Sequence, residues 1–155
     1  YGPNDNFNPA SSHVIPALIL KVDRAMQVGK NNIELWGTGN ASREFLYVDD
    51  CAKAIKKSLD INTTPHPINV GTGSEIAIKD LATMLADIMG YEGSISYNDS
   101  FPDGQPRRCL DTNRAFKVLG FEAQTELYEG LKNTVSWYYK NKGKEKFVDY
   151  FDNIQ

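Results

Sequence analysis

Residues 33–59 run IELWGTGNASREFLYVDDCAKAIKKSL, and the change of pattern inside this stretch decides the fold class. Ile33-Glu34-Leu35-Trp36 alternates apolar and polar residues and ends at Gly37-Thr38-Gly39-Asn40, which predicts a short strand closed by a turn. Glu44-Phe45-Leu46-Tyr47-Val48 is rich in residues that suit a pleated surface, so a second strand is expected there. Asp49-Asp50 then supplies cap chemistry for a helix reaching Leu59, with Ala54, Ile55 and Leu59 on one face and Lys53, Lys56 and Lys57 on another. Strand followed by helix within 27 residues is the signature of an α/β chain.

Toward the N-terminus, residues 1–12 hold two prolines, Asn/Asp residues and a Ser pair without periodicity, which reads as a surface loop. Apolar Val14, Ala17, Leu18, Val22, Ala25 and Met26 recur at three- and four-residue steps and predict a helix over 13–28. Ser11 and Ser12 are its expected caps and Gly29 its stop. Toward the C-terminus, Ile68-Asn69-Val70 fits a minimal buried strand, and Leu81, Met84, Leu85, Ile88 and Met89 mark a helix from about 78 to Gly90. A further strand is expected at 94–97, turn chemistry over 98–108, a short helix over 112–119 and a longer one from Leu127 to about 142. The fold class is α/β, mixed and helix-rich, with short strands. Residues 1–142 form one expected lobe and residues 143–155 a terminal tail or helix.

The 155 residues carry 17 Lys+Arg against 20 Asp+Glu, a net charge of −3, so no cationic surface for nucleic acid is expected. The longest apolar run, Val14 to Leu20, is far short of the ~20 residues that cross a bilayer, so no membrane partner is expected either. Cys51 and Cys109 are too few and too widely spaced for a disulfide framework or a metal site, which fits a reducing cytoplasm. The chain opens Tyr1-Gly2-Pro3-Asn4 without an initiator Met, and a fragment or processed piece is the expectation.

Gly71-Thr72-Gly73 follows a predicted strand but has Ile76 where a dinucleotide loop needs its third glycine, so it reads as a turn. Gly37-Thr38-Gly39 fails the same test. His13, at the mouth of the first helix, has a side chain able to exchange a proton near neutral pH, while His66 between two prolines reads as a loop residue. Trp36 is an aromatic plane at a strand tip, and Arg43 a planar donor fork that a hairpin-like turn would bring to the same rim. Asp103, Arg107 and Arg108 flank a Pro-Asp-Gly-x-Pro loop that could close over a phosphorylated ligand or be only a turn.

The stretches YGPNDNFNP, SHVIPALI, WGTGNASREFLYVDD, INVGTGSEIAIKDLA, MGYEGSISYN, PDGQPRRCLD and VLGF, in this order, resemble the C-terminal portion of the GDP-L-fucose synthase family. That family is similar to the extended short-chain dehydrogenase/reductases. The resemblance implies a substrate-binding lobe of an enzyme that epimerises GDP-4-keto-6-deoxy-D-mannose and reduces its ketone with NADPH. It implies a catalytic role for His13, on the nicotinamide side of the cleft. Lys21, Arg43 and Arg108 match cations near the GDP diphosphate, Trp36 and Asp103 match nucleotide-sugar contacts, and Val14 and Leu18 match pocket-lining residues. The cofactor NADP would be bound mainly by an N-terminal Rossmann half that carries the glycine-rich loop and the Tyr-x-x-x-Lys pair, and a homodimer is expected. The isolated chain is expected to be inactive and, through the helix at 50–59, to self-associate. Two other functions fit the residues: another nucleotide-sugar epimerase or dehydratase, and a non-catalytic nucleotide-sugar-binding module. Lys21, preceded by Leu20, departs from the family pattern, and Ala77 replaces a Thr or Ser that would cap the helix at Ile78.

Overall fold

The computed structural model describes residues 1–59, 61 and 66–144. Helix α1 (Val14–Gln27) leads to strand β1 (Asn32–Trp36), strand β2 (Ser42–Arg43) and helix α2 (Val48–Ser58). Strand β3 (Ile76–Ala77) runs straight into helix α3 (Ile78–Met89), and strands β4 (Ser94–Asn98) and β5 (Arg107–Arg108) precede helices α4 (Asn113–Leu119) and α5 (Leu127–Asn141). The mixed, helix-rich α/β class with short strands is as expected. The terminal tail falls largely on 145–155, outside the described residues.

Two small sheets organise the chain. β1 pairs with β4 in parallel, Asn32 opposite Ser94 through Trp36 opposite Asn98. β2 is the centre of the other sheet, antiparallel to β3 and parallel to β5. The main core joins α1, α3 and α5 to β1 through Ile15, Ile19, Leu81, Leu85 and Leu131, each no more than 1% exposed. Removing such side chains from water contributes roughly 1.5–3 kcal/mol each and fixes the helices against one another. A second cluster, Ala54, Ala115, Leu119 and Phe121, joins α2 to α4.

Several expectations give way to longer-range bonds. The strand expected over 44–48 is absent: only Ser42 and Arg43 enter a ladder, and Val48 already opens α2. Tyr1 takes the backbone groups of that segment instead, its amino group donating to the Leu46 carbonyl (3.0 Å) and its carbonyl accepting from the Val48 amide (2.8 Å). Ile68 and Val70 form no strand but pack, half-buried, against the α2–α4 cluster. The hairpin expected between Trp36 and Arg43 is replaced by separate sheets, β1 pairing with β4 and β2 with β3 and β5. Of the apolar face expected on α2, Ala54 is buried, whereas Ile55 and Leu59 are exposed.

The caps differ too. His13, not Ser11 or Ser12, is the N-cap of α1, and it makes no side-chain cap bond. Tyr47 occupies that position in α2, with Asp49 and Asp50 inside the first turn, and the Asp50 carboxylate accepts the amides of Gln124 and Thr125. The helix stops follow the sequence: Gly90 and Gly120 end α3 and α4 with φ of 72° and 57°, the left-handed conformation that glycine adopts without steric cost.

Candidate functional site

Alternation along β1 buries Ile33 and Leu35 and leaves Glu34 and Trp36 on the open face. Lys21, one of the few polar residues on α1, bonds this strand through its ammonium, which donates to the Glu34 carbonyl at 2.7 Å. Burial lowers the Lys21 pKa from its ordinary value, with Glu34 acting against that shift.

The turn expected over 98–108 ends in a strand, β5, and the loop proper is 99–106. Trp36 is exposed, and Phe101 from this loop stacks on it, with ring centroids 4.6 Å apart and planes 13° from parallel. Two residues on, Thr38 holds the same loop. Its amide and hydroxyl donate to the two Asp103 carboxylate oxygens, each at 2.6 Å. These bonds, the hydroxyl one foremost, lower the Asp103 pKa. The loop is therefore latched to the β1 end by a stack and a two-point polar contact.

The same loop reaches Arg43. A Cβ placed on Gly104 would stand 3.9 Å from Arg43 Nη2, so the guanidinium passes beside the residue that follows Asp103. Arg43 Nη1 donates to the Ser42 carbonyl at 2.6 Å. Across the β2–β5 ladder, Arg43 stands opposite Arg108, and Ser42 opposite Arg107. Directly opposed residues share a face. The two ladder pairs are treated in opposite ways. Arg107 is neutralised by Glu75, Nε to Oε1 at 2.6 Å, while Ser42 Oγ donates to the other oxygen of the same carboxylate at 2.6 Å. Arg43 and Arg108 form no ion pair among the described residues. Arg43 also lines a cleft of about 180 Å³ with Phe45, Thr72, Glu75 and the 123–127 segment.

Lys21, Trp36, Asp103, Arg43 and Arg108 thus follow one another along β1, the 99–106 loop and the β2–β5 ladder. His13, Val14 and Leu18 belong to the N-terminal half of α1. His13 is exposed, Val14 half-buried against the core, and Leu18 buried within it at 6% exposure. Lys21 is eight residue steps along α1 from its N-cap His13, about 12 Å along the axis. Beside His13, Ser12 Oγ is buried without a hydrogen-bond partner among the described residues.

The role of Glu44 was not anticipated. Its Oε1 accepts the amides of Thr72 and Gly73 (the second at 2.8 Å), and Oε2 accepts the Leu110 amide at 2.7 Å. Gly71 must be glycine for this approach, since a Cβ there would run into the carboxylate. The nearest sequence signal was the glycine turn itself. Its amides are occupied by a carboxylate, so this turn does not fit a cofactor pyrophosphate. Burial, with Glu44 and Glu75 nearby, pushes the Cys109 thiol pKa up. Among the described residues no group of His, Cys, Asp or Glu could hold a metal, and no helix is long and apolar enough to cross a membrane.

Similarity to known proteins falls on this framework. The chain is 40% identical over 141 residues to GDP-L-fucose synthase 1 of Arabidopsis thaliana, covering 91% of this chain and 43% of that protein. It is 39% identical over 153 residues to the GDP-L-fucose synthase of Escherichia coli (strain K12), covering 93% of this chain and 47% of the relative. A solved GDP-L-fucose synthetase from Naegleria fowleri bound to NADP superposes with a TM-score of 0.86 at 27% identity, over 93% of this chain and 45% of that one. The chain thus spans less than half the length of the curated relatives it matches. Residues 1–71 match the NAD dependent epimerase/dehydratase family, and the chain is related along nearly all its length to the C-terminal portion of the GDP-L-fucose synthases.

Proposed function

We propose that this chain supplies the nucleotide-sugar-binding portion of a GDP-L-fucose synthase-type enzyme, which epimerises GDP-4-keto-6-deoxy-D-mannose and reduces it with NADPH. The observation that carries this reading is the unpaired Arg43–Arg108 couple, held side by side by the β2–β5 register. Two planar cations on one face match the oxygens of a diphosphate. Charge-assisted bonds of this kind contribute about 1.5–3 kcal/mol each.

In this reading the guanine base or sugar lies along the open face of Trp36, the diphosphate crosses Arg43 and Arg108, and Lys21 adds a third cation from the α1 side. Asp103 shapes the site by holding the 99–106 loop to Thr38, leaving its remaining acceptor capacity for the ligand. His13 exchanges a proton at a carbon beside the ketone, since epimerisation removes a proton on one face and returns one on the other. Val14 and Leu18, packed into the core behind His13, anchor this end of the helix.

NADPH would supply the hydride when bound. No glycine loop of the described residues fits its pyrophosphate, so we assign it to an N-terminal Rossmann half, with the exposed side chains Ile55 and Leu59 on α2 as part of the surface that meets that half or a second copy in a homodimer. Calorimetry with GDP tests the site. Binding that weakens at least tenfold in Arg43→Ala and in Arg108→Ala is expected, whereas equal affinity in wild type and Arg43→Ala removes the phosphate site.

A further inference from the structure

The β2–β5 ladder holds only two residues on each strand, too short a pairing to keep two like-charged side chains at a fixed separation without help. Opposed like charges destabilise a strand pair, so the Arg43–Arg108 couple tends to push its own ladder apart. Something must hold it. Arg107 and Ser42 are tied through Glu75 on the other face. On the side where the strands leave the ladder, the tie is Glu44.

Glu44 follows Arg43 directly, and Leu110 lies two residues beyond Arg108. The bond from the Leu110 amide to Glu44 Oε2, at 2.7 Å, therefore continues the β2–β5 pairing through a side chain where backbone pairing has stopped. The other oxygen grips a second segment through the amides of Thr72 and Gly73, with the Thr72 hydroxyl at 3.3 Å. Three backbone donors from two distant loops converge on one half-buried carboxylate. A carboxylate has enough acceptor sites for all of them, and each bond is charge-assisted. An amide side chain has one acceptor oxygen and presents N–H groups toward the donors on its other side.

Resting on the diphosphate reading of Arg43 and Arg108, we propose that Glu44 is a positioning residue. It sets the separation of the two guanidiniums by clamping residue 110 and the 72–73 turn onto the end of β2, and it touches no ligand itself. The clamp acts on a ligand that spans both arginines and leaves one that needs a single arginine nearly unaffected. A merely structural residue would weaken both alike.

The test compares inorganic pyrophosphate with inorganic phosphate by calorimetry on the full 155-residue chain, in wild type, Glu44→Gln, Glu44→Asp and Arg43→Ala, with urea unfolding of each. Glu44→Gln is expected to bind pyrophosphate roughly tenfold more weakly while phosphate affinity changes less than about twofold. Glu44→Asp keeps the charge but cannot reach both segments, so it is expected to fall between the two. It serves as the readout if Glu44→Gln does not fold. Folded Glu44 variants that keep the wild-type ratio of pyrophosphate to phosphate affinity overturn the proposal, as does a loss equal for both anions. Arg43→Ala separates the two levels: no loss of pyrophosphate binding there overturns the diphosphate site itself, whereas loss in Arg43→Ala without loss in the Glu44 variants overturns the clamp alone.

Discussion

Trp36 and Phe101 lie face to face with ring centroids 4.6 Å apart, so one face of the indole is covered by the chain itself and the other is left to solvent. A base stacking on the open face would form a three-ring pile, and base–aromatic stacking contributes about 1–3 kcal/mol. GDP is expected to quench Trp36 emission in wild type. Trp137 is the second indole, so Trp36→Phe assigns the signal by abolishing the change. Phe101→Ala is expected to shift Trp36 emission to longer wavelength and to weaken GDP binding. Unchanged emission in Phe101→Ala would show that the rings do not stack in solution.

The latch beneath that stack depends on Gly37. Its φ is +79°, and an added Cβ would collide with the Asp103 carboxylate. Gly37→Ala therefore combines a left-handed backbone cost of roughly 1–2 kcal/mol with displacement of Asp103 from Thr38. Faster amide exchange at Thr38 is expected in Gly37→Ala and also in Asp103→Asn. The double variant should exchange no faster than the quicker single one, because both changes release one contact. Strict additivity would sever the two residues.

Asp50 makes the fold acid-sensitive. It is 1% exposed and accepts the Gln124 and Thr125 amides and the Lys53 ammonium, the last at 2.9 Å. Burial alone would raise its pKa. The bonds from Lys53, Thr125 and Gln124 outweigh it and lower the value from 3.8 to about 2. A carboxylate with a depressed folded pKa stabilises the fold above its unfolded value and loses that contribution as pH falls toward the folded one. Urea midpoints of the wild type should thus hold from neutrality down to about pH 4 and drop between there and pH 2. Asp50→Asn is expected to cost about 2 kcal/mol at neutral pH and to flatten that drop. A wild-type profile as flat as the variant's would contradict the assignment.

Helices were the most legible part of this chain, because a 3.6-residue apolar repeat reports burial of one face whatever lies opposite it. The stripes at Leu81, Leu85 and Met89 and at Leu131, Val135 and Tyr138 all face the core. Gly90 and Gly120 stop α3 and α4 for a local reason as well, the left-handed backbone. The strands were less legible. Glu44 to Val48 has the composition of a strand, but its partners are Tyr1 and loops whose positions no local pattern reveals. The candidate ligand residues could be named by type from the sequence. Their arrangement could not, since the Leu110–Glu44 bond joins residues 66 apart and the 99–106 loop reaches Trp36 only through a tertiary stack.

The clip between α1 and α5 gives a second pH dependence, of opposite sign. Tyr138 is 1% exposed, its hydroxyl donates to Asp23 Oδ2 at 2.8 Å, and Lys142 and Gln27 complete the carboxylate's partners at 2.7 and 2.8 Å. Burial first, then Asp23, raises the phenol pKa well above its ordinary 10.0. A group whose folded pKa is raised stabilises the fold below its unfolded value and loses that contribution as pH rises through the folded one. Tyr138→Phe keeps the ring stacked on Phe7, centroids 5.0 Å apart, and removes only the donor. It is expected to cost about 1 kcal/mol at pH 7, because Asp23 retains Lys142 and Gln27. Above about pH 10 the wild type should lose stability more steeply than Tyr138→Phe, so that the two urea midpoints converge. Midpoints that stay a constant distance apart up to pH 11 would mean that the Tyr138 hydroxyl is not held by Asp23.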